Sequence, residues 1–356
     1  RAITGEGRRA LTRQVERDFP WLPAGCALQF DRQSREIVLE SLRQAIGADK
    51  RSLVRELRAL GDVSLADFLR ETELDLTDIY RKRSFADLRR AAGLPVPPAG
   101  PDEDALGRAL GRLLHVDDLQ RLDAWRTLLA GAEPPGRAPD ERSRRLRMML
   151  AVTLFGAEAV SEDALAPLWR HPAMLAELRA LLTLLRDRLD HLAPPWAHAA
   201  PLSLHARYGR QEIMAAFDDV RDGTLYLPRE GVLFEKRSRC NLLFVTLHKD
   251  EEDFSASTMY RDYAIAPDRF HWESQSRTRP DDTKGQRHVR HAEQGVTPLL
   301  FVRPTRKDDR GETMPFAFLG PLTLRSHQGE RPMSIEWALE HPMSEALFRQ
   351  ARLVAS

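Results

Sequence analysis

The chain has 356 residues, more than one ordinary domain, and at 42% hydrophobic it has the material for real cores. With 30% charged residues and a net charge of +1 it is neither a disordered acidic tail nor a uniformly basic nucleic-acid coat. No apolar run approaches the roughly 18–20 residues that a membrane span needs, and the opening Arg1-Ala2-Ile3-Thr4-Gly5, with neither Met nor a secretory pattern, reads as the start of a fragment of a longer polypeptide.

The first 191 residues carry helical periodicity. Leu11, Val15 and Phe19 form a stripe that Pro20 and Pro23 break. Residues 27–30 read as a short strand, and Asp31 as the cap of a helix through Ile37, Val38, Leu42 and Ile46. Leu53, Val54, Leu57 and Leu60 form the next stripe, stopped by Gly61. Ser64 with Asp67, and Ser84 with Asp87, fit variants of the capping box. Three short helices over residues 64–94 fit a helix-turn-helix, with Arg81, Lys82, Arg83, Arg89 and Arg90 to meet phosphates; the same spacing fits a plain helical bundle. The run Pro95–Pro101 is a linker, and helices resume at 102–115, 117–130, 140–155, 161–169 and 173–191.

Beyond Ala193-Pro194-Pro195-Trp196 the pattern changes. Strands are expected at 231–234, 242–248, 270–275, 298–303, 315–319, 322–325 and 333–339, with Gly320-Pro321 as a turn, and helices at 209–217 and 344–353. The continuous apolar runs 242–245 and 299–302 suit central strands. In the strand at 270–275, alternation puts Phe270, Trp272 and Ser274 on the core face and His271, Glu273 and Gln275 on the other. The fold class expected is α+β: a helical N-terminal region followed by a mixed, mostly β domain. The domains read as a helical segment at 1–94 containing the candidate helix-turn-helix, a second helical subdomain at 95–195, and a β-rich domain at 202–345.

Catalytic signatures are sparse. There is no phosphate-binding G-x-x-x-x-G-K-[ST] loop and no G-x-S-x-G nucleophile elbow. Pro267-Asp268 followed by Asp282-Thr283-Lys284 has the spacing of a magnesium nuclease, but residues 277–285 contain nothing apolar and read as a surface loop, not a buried strand. His288-x-x-His291 could put two imidazoles on one helix face, without further ligands at metal-site spacing. Two cysteines, Cys26 and Cys240, cannot build a disulfide framework, so a reducing, cytoplasmic compartment is expected. Of the 54 basic residues 48 are Arg, which fits either coding bias or phosphate-facing guanidinium groups. Residues 1–200 carry 31 basic and 30 acidic side chains, and residues 201–356 carry 23 of each. Any nucleic-acid surface must therefore come from local segregation of charge.

Aromatics with polar handles cluster at Tyr260, Tyr263, His271 and Trp272, and Gln275, Gln286 and Arg287 are base-edge readers by type. Such a set could also cradle an extruded base. Tyr263, Phe270 and Trp272 equally suit a core whose polar tips are satisfied internally.

The motifs Leu202-Ser203-Leu204-His205-Ala206-Arg207-Tyr208-Gly209, Arg229-Glu230-Gly231-Val232, Leu243-Phe244-Val245-Thr246-Leu247-His248-Lys249, Phe254-Ser255-Ala256-Ser257-Thr258-Met259-Tyr260-Arg261-Asp262-Tyr263, Phe270-His271-Trp272-Glu273-Ser274-Gln275, Leu300-Phe301-Val302-Arg303 and Phe318-Leu319-Gly320 occur in this order. Together they resemble the uncharacterised C-terminal domain of many bacterial superfamily II DEAD/DEAH-type helicases, in which a phospholipase-D-like nuclease often precedes the motor. Phe19-Pro20-Trp21-Leu22-Pro23 resembles the stretch that follows the helicase core. The resemblance implies a non-enzymatic C-terminal region, in a restriction or phage-defence setting, whose ATP and magnesium belong to an upstream helicase core. The partners expected are DNA and that core, with no membrane. By analogy with restriction-enzyme effector domains and modified-base readers, the β domain is expected to be a pseudobarrel. The candidate DNA contacts are Arg207, Tyr208, Tyr260, Tyr263, His271, Gln275, Gln286, Arg287 and Arg303. The alternatives are a metal-dependent nuclease using Asp268, Asp282 and Lys284, and a protein-interaction module that regulates the helicase.

Overall fold

A computed structural model describes residues 49–80, 83–248, 262–308 and 311–352. The stripes and strand expected before residue 49, Tyr260, and Arg81 and Lys82 of the helix-turn-helix reading lie outside the described residues. The chain divides into two units: residues 1–114 with 167–184, and residues 115–166 with 185–356.

In the first unit, α1 (Lys50–Leu60), α2 (Leu65–Thr72), α3 (Leu76–Ile79), α4 (Phe85–Ala92), α5 (Glu103–Leu110) and most of α8 (Pro172–Asp187) are helices, and side chains cap the starts of α1 to α4. Ser64 and Ser84 accept from the backbone N–H of Asp67 and Asp87, as the capping pattern requires. Gly61 and Gly93 end α1 and α4 at φ near +81°, a conformation that glycine adopts without strain. Leu53, Leu57, Phe68, Ile79, Leu88, Leu106 and Leu113 make the core. Glu177, buried, accepts from the backbone N–H of Phe85 at 2.6 Å and of Ala86 at 2.8 Å, so a carboxylate sits on the positive end of α4. The arginines of α4 are engaged internally: Arg89 with Asp62, and Arg90 with Glu103 at 2.8 Å and with the Pro97 carbonyl at 2.7 Å.

The second unit contains α6 (Leu119–Leu128), α7 (Glu141–Phe155) and a mixed sheet. Its strands are β1 (Arg207–Tyr208), β4 (Val232–Glu235), β5 (Cys240–Thr246), β6 (Tyr263–Ala266), β7 (Arg269–Glu273), β8 (Thr297–Arg303), β9 (Phe316–Gln328) and β10 (Ser334–Leu339). The order is β4-β5-β8-β9-β10-β7-β6, with β1 added on β9; β5 and β8 run parallel, and the other pairs are antiparallel. β2 (Val220–Arg221) and β3 (Thr224–Leu225) form a separate small hairpin. Helices α9 (Arg210–Phe217), α10 (Thr283–Val289) and α11 (Glu345–Arg352) complete the unit. The fold is α+β as expected. The described strands do not close into a barrel: β4 and β6 end the strand path.

Two of the differences from the sequence reading bear on the sheet and the helix beside it. Residues 316–319 and 322–325 belong to one 13-residue strand, β9, and Gly320-Pro321 is a kink inside it, not a turn. Gly320 has φ +86°, and a Cβ there would lie 2.7 Å from Leu204 Cδ2. At this kink β9 passes from pairing with β8 to pairing with β10. The second difference is α10, which begins inside the stretch read as surface loop. Its polar sequence carries no apolar stripe, so periodicity could not find it.

One face of the sheet packs a core among Leu243, Val245, Phe270, Trp272, Leu300, Val302, Leu319, Ile335 and Trp337, and in the central strands the alternate residues Leu242, Leu299, Phe301 and Phe318 are buried as well. The alternation expected along β7 holds: Phe270, Trp272 and Ser274 are buried, while His271, Glu273 and Gln275 are only partly covered. Among the described residues no helix is long and apolar enough to cross a membrane.

Candidate functional site

One end of the sheet opens into a cleft of about 400 Å³, lined by the loop Tyr226–Glu230, Val232, Leu233 and Phe234 of β4, Asn241 of β5, Gln275 beyond β7, and Lys284, Arg287 and His288 of α10. The loop is held from behind. Arg210 donates to the Pro228 carbonyl at 2.6 Å, and the Tyr226 N–H donates to the Asp219 carbonyl at 2.8 Å. The Arg221 guanidinium lies 3.4 Å from the Tyr226 ring centre.

Helix α10 is fixed at its start. The Asp282 carboxylate accepts from the Gly285 N–H at 2.7 Å and from the Arg279 N–H at 2.8 Å. Burial would raise the Asp282 pKa, but these backbone N–H groups outweigh it and hold the carboxyl below its ordinary range. Gly285 is required here, because a Cβ would lie 1.7 Å from the Arg279 carbonyl oxygen. With the helix seated, residues 284, 287 and 288 fall on one face at i, i+3 and i+4 and turn toward the cleft.

The rim is polar and mostly cationic. Lys284 donates to Gln275 at 3.0 Å, and Gln275 donates to Glu230 at 2.5 Å. Three cations, Arg229, Lys284 and Arg287, face one carboxylate, Glu230. The Arg287 guanidinium sits 4.5 Å from the Phe234 ring centre, and among the described residues no hydrogen bond or carboxylate engages it.

The floor is neutral. Asn241 is 2% exposed and His288 3% exposed, and the Asn241 amide nitrogen lies 3.3 Å from His288 Nδ1. Burial first, then the neighbouring Arg287 charge, pushes His288 down to about 4, so its ring is neutral at physiological pH. With Nδ1 accepting from the amide, Nε2 carries the proton.

The sequence candidates scatter. Gln275 and Arg287 meet in the cleft. Gln286, on the same helix, donates to the Pro280 carbonyl at 2.5 Å. Tyr263 and His271 stack at 4.7 Å on the outward face of β6 and β7, and His271 Nε2 lies 2.8 Å from Ser334 Oγ. Arg207 pairs with Asp117 at 2.8 Å. Tyr208 is wholly buried beneath the Arg121 guanidinium. Arg303 is buried against Phe316 and donates to Thr246. Tyr260 lies outside the described residues.

The structure places the residues read as a nuclease set as follows. Asp282 is committed to its cap, Lys284 is bonded to Gln275, and Asp268 lies in the β6–β7 turn. His291 accepts from the Leu324 N–H through Nε2 and meets the Val296 carbonyl through Nδ1, a structural role distinct from that of His288. Among the described residues no three His, Cys, Asp or Glu side chains gather as a metal-ligand set.

Sequence reasoning missed Asn241, Phe234 and Tyr226. The first had a signal: it is the only amide in the apolar run Cys240–Val245, at a position whose cross-strand partner is Phe234.

The family comparison falls on this region. Residues 202–351 form a DUF3427 domain, a domain of unknown function. The cleft and every residue that lines it lie inside the DUF3427 boundaries. No curated protein matches the chain.

Among the described residues, the Gln275 side chain within the DUF3427 domain bonds to exposed partners, Glu230 and Lys284. Gln275→Ala is therefore expected to change stability by no more than about 0.5 kcal/mol, read as superimposable thermal melts.

Proposed function

We propose that the DUF3427 domain is the DNA-recognition module of an ATP-dependent superfamily II helicase of the restriction or phage-defence kind, and that it meets DNA at the cleft between β4, α10 and the Tyr226–Glu230 loop. The observation that carries this reading is Arg287. A guanidinium held over an aromatic ring, engaged by no anion among the described residues and beside Lys284 and Arg229, is pre-organised to receive an external one. A phosphate oxygen pair matches its donor fork. The near-zero net charge of the chain is no obstacle, since the excess of cations is local.

The helicase setting rests on the resemblance of the motif series in residues 202–340. ATP and magnesium would serve the upstream motor. A binding role is preferred over hydrolysis, because Asp282 caps α10 through the Arg279 and Gly285 N–H groups and, among the described residues, no three acidic or imidazole side chains gather as a metal-ligand set.

Fluorescence anisotropy with duplex and single-stranded DNA across a salt series tests the reading. Each contacted phosphate contributes about one counterion to the salt slope. Arg287→Ala and Lys284→Ala are each expected to weaken binding and to flatten the plot of log affinity against log salt by about one unit. Failure of the wild-type chain to bind either form of DNA at low salt would sink the proposal and favour a protein partner for the cleft.

A further inference from the structure

We infer that the cleft receives the base of a single unstacked nucleotide, which Asn241 and His288 read at its floor while Arg287 and Lys284 hold the adjoining phosphate. This rests on the DNA-binding reading and names what that site would recognise.

The first argument is shape. Bases within a duplex are read by convex elements that enter a groove about 12 Å wide. Here the polar readers lie at the bottom of a concavity of about 400 Å³, so a helix of paired bases cannot reach them. Only a group that projects from the nucleic acid can.

The second argument is chemical layering. The floor is neutral and polar, the wall is aromatic and aliphatic, and the rim is cationic, in the order Asn241 and His288, then Phe234, Tyr226 and Leu233, then Arg229, Lys284 and Arg287. A nucleotide has the same layers: a planar base with donors and acceptors on its edge, then an anionic phosphate.

The third argument is the floor itself. His288 is buried between Trp272 and Trp337, with ring centres 4.9 and 6.2 Å away, and among the described residues its Nε2 has no hydrogen-bond partner. An imidazole N–H at the floor of a cleft is a donor that a ligand acceptor can meet. Asn241 adds amide donor and acceptor positions beside it, the pairing chemistry of a base edge. Extrusion of the base is costly in a fully paired duplex and cheap where it has no partner. The site therefore selects an unpaired nucleotide in a strand.

Four ligands separate the possibilities: a paired duplex, the same duplex with one unpaired nucleotide, the same bulge lacking only its base, and a free mononucleotide. The chain is expected to bind the bulged duplex at least about tenfold more tightly than the paired or the abasic one. His288→Phe keeps the ring packing but removes Nε2–H, and is expected to erase that preference. A 2-aminopurine at the bulge, read with the wild-type chain alone, is expected to change its fluorescence on binding, which keeps the test open if the variant fails to fold. Equal binding of paired, bulged and abasic duplexes overturns the base-reading inference and leaves the DNA-binding proposal standing. Binding of the mononucleotide as tight as that of the bulge overturns the in-strand assignment. Failure to bind any DNA overturns the underlying proposal instead.

Discussion

Arg121→Met is expected to destabilise the second unit by about 3–5 kcal/mol, the cost of leaving buried carboxylates without their cation. Arg121 is wholly buried. It donates from Nε to Asp118 at 2.5 Å, from Nη1 to Glu212 at 2.7 Å and from Nη2 to the Arg207 carbonyl at 2.6 Å, and its guanidinium lies 3.9 Å from the Tyr208 ring centre. Burial alone would lower its pKa; the Asp118 and Glu212 charges outweigh that and raise it. Glu212 has the converse balance. Burial would raise it, but the His115 and Arg121 charges hold it at about 2.

Urea titrations of the wild type and the variant measure the loss as a lower midpoint at unchanged slope. A companion variant that also carries Asp118→Leu should recover a substantial part of it, because an apolar replacement of a buried charge pair is often nearly neutral. A loss below about 1 kcal/mol for Arg121→Met would show that the network contributes little to stability. The same network explains why Tyr208 is not at the surface. Its ring is the platform for Arg121, and its hydroxyl accepts from the Ser203 N–H at 2.7 Å.

Mild acid is expected to weaken the DUF3427 domain through His288. In the unfolded chain this imidazole takes up a proton near its ordinary pKa of 6.5, whereas in the folded domain it stays neutral down to about 4. Below pH 6.5 the unfolded state therefore binds the extra proton, and stability falls as the pH drops toward 4. The full span corresponds to about 3 kcal/mol, at 1.36 kcal/mol per pKa unit. The neighbouring charges act in opposite directions: Arg287 and His291 deepen the depression, and Asp282 opposes it. His288→Phe should flatten the stability profile between pH 6.5 and 4. Glu212 acts lower. Its depressed pKa means that stability present above pH 4.5 is lost as the pH falls toward 2. Denaturant midpoints measured from pH 8 to pH 3 separate the two falls, and an unchanged acid profile in His288→Phe would remove His288 from the account.

Local chemistry made much of the fold readable. Ser64 and Ser84 bind the backbone N–H groups three residues on, a motif contained within four residues, so the starts of α2 and α4 could be read directly. Phe270, Trp272 and Ser274 alternate with His271, Glu273 and Gln275, and the pleat puts alternate side chains on opposite faces whatever the partner strands are. Gly320-Pro321 misled because glycine and proline mark a turn and a strand kink equally well. Only the presence of β8 on one side and β10 on the other made it a kink.

The candidate site was legible in residue type more than in place. Gln275 and Arg287 were chosen for their hydrogen-bonding forks, which composition shows, and they do line the cleft. Tyr208 and Arg303, candidates that lie in the motif series, face the interior instead, because burial depends on neighbours brought in from distant segments: Asp118 and Arg121 for Tyr208, Thr246 and Met314 for Arg303. The sequence by itself determined the α+β class, most helix and strand positions and the face of β7, since each depends on interactions within a few residues. The tertiary structure alone decided the pairing of β5 with β8 and the meeting of Asn241 with His288 across 47 positions. Those contacts are non-local, and their free energy comes from burial and hydrogen bonds that exist only once the chain has closed on itself.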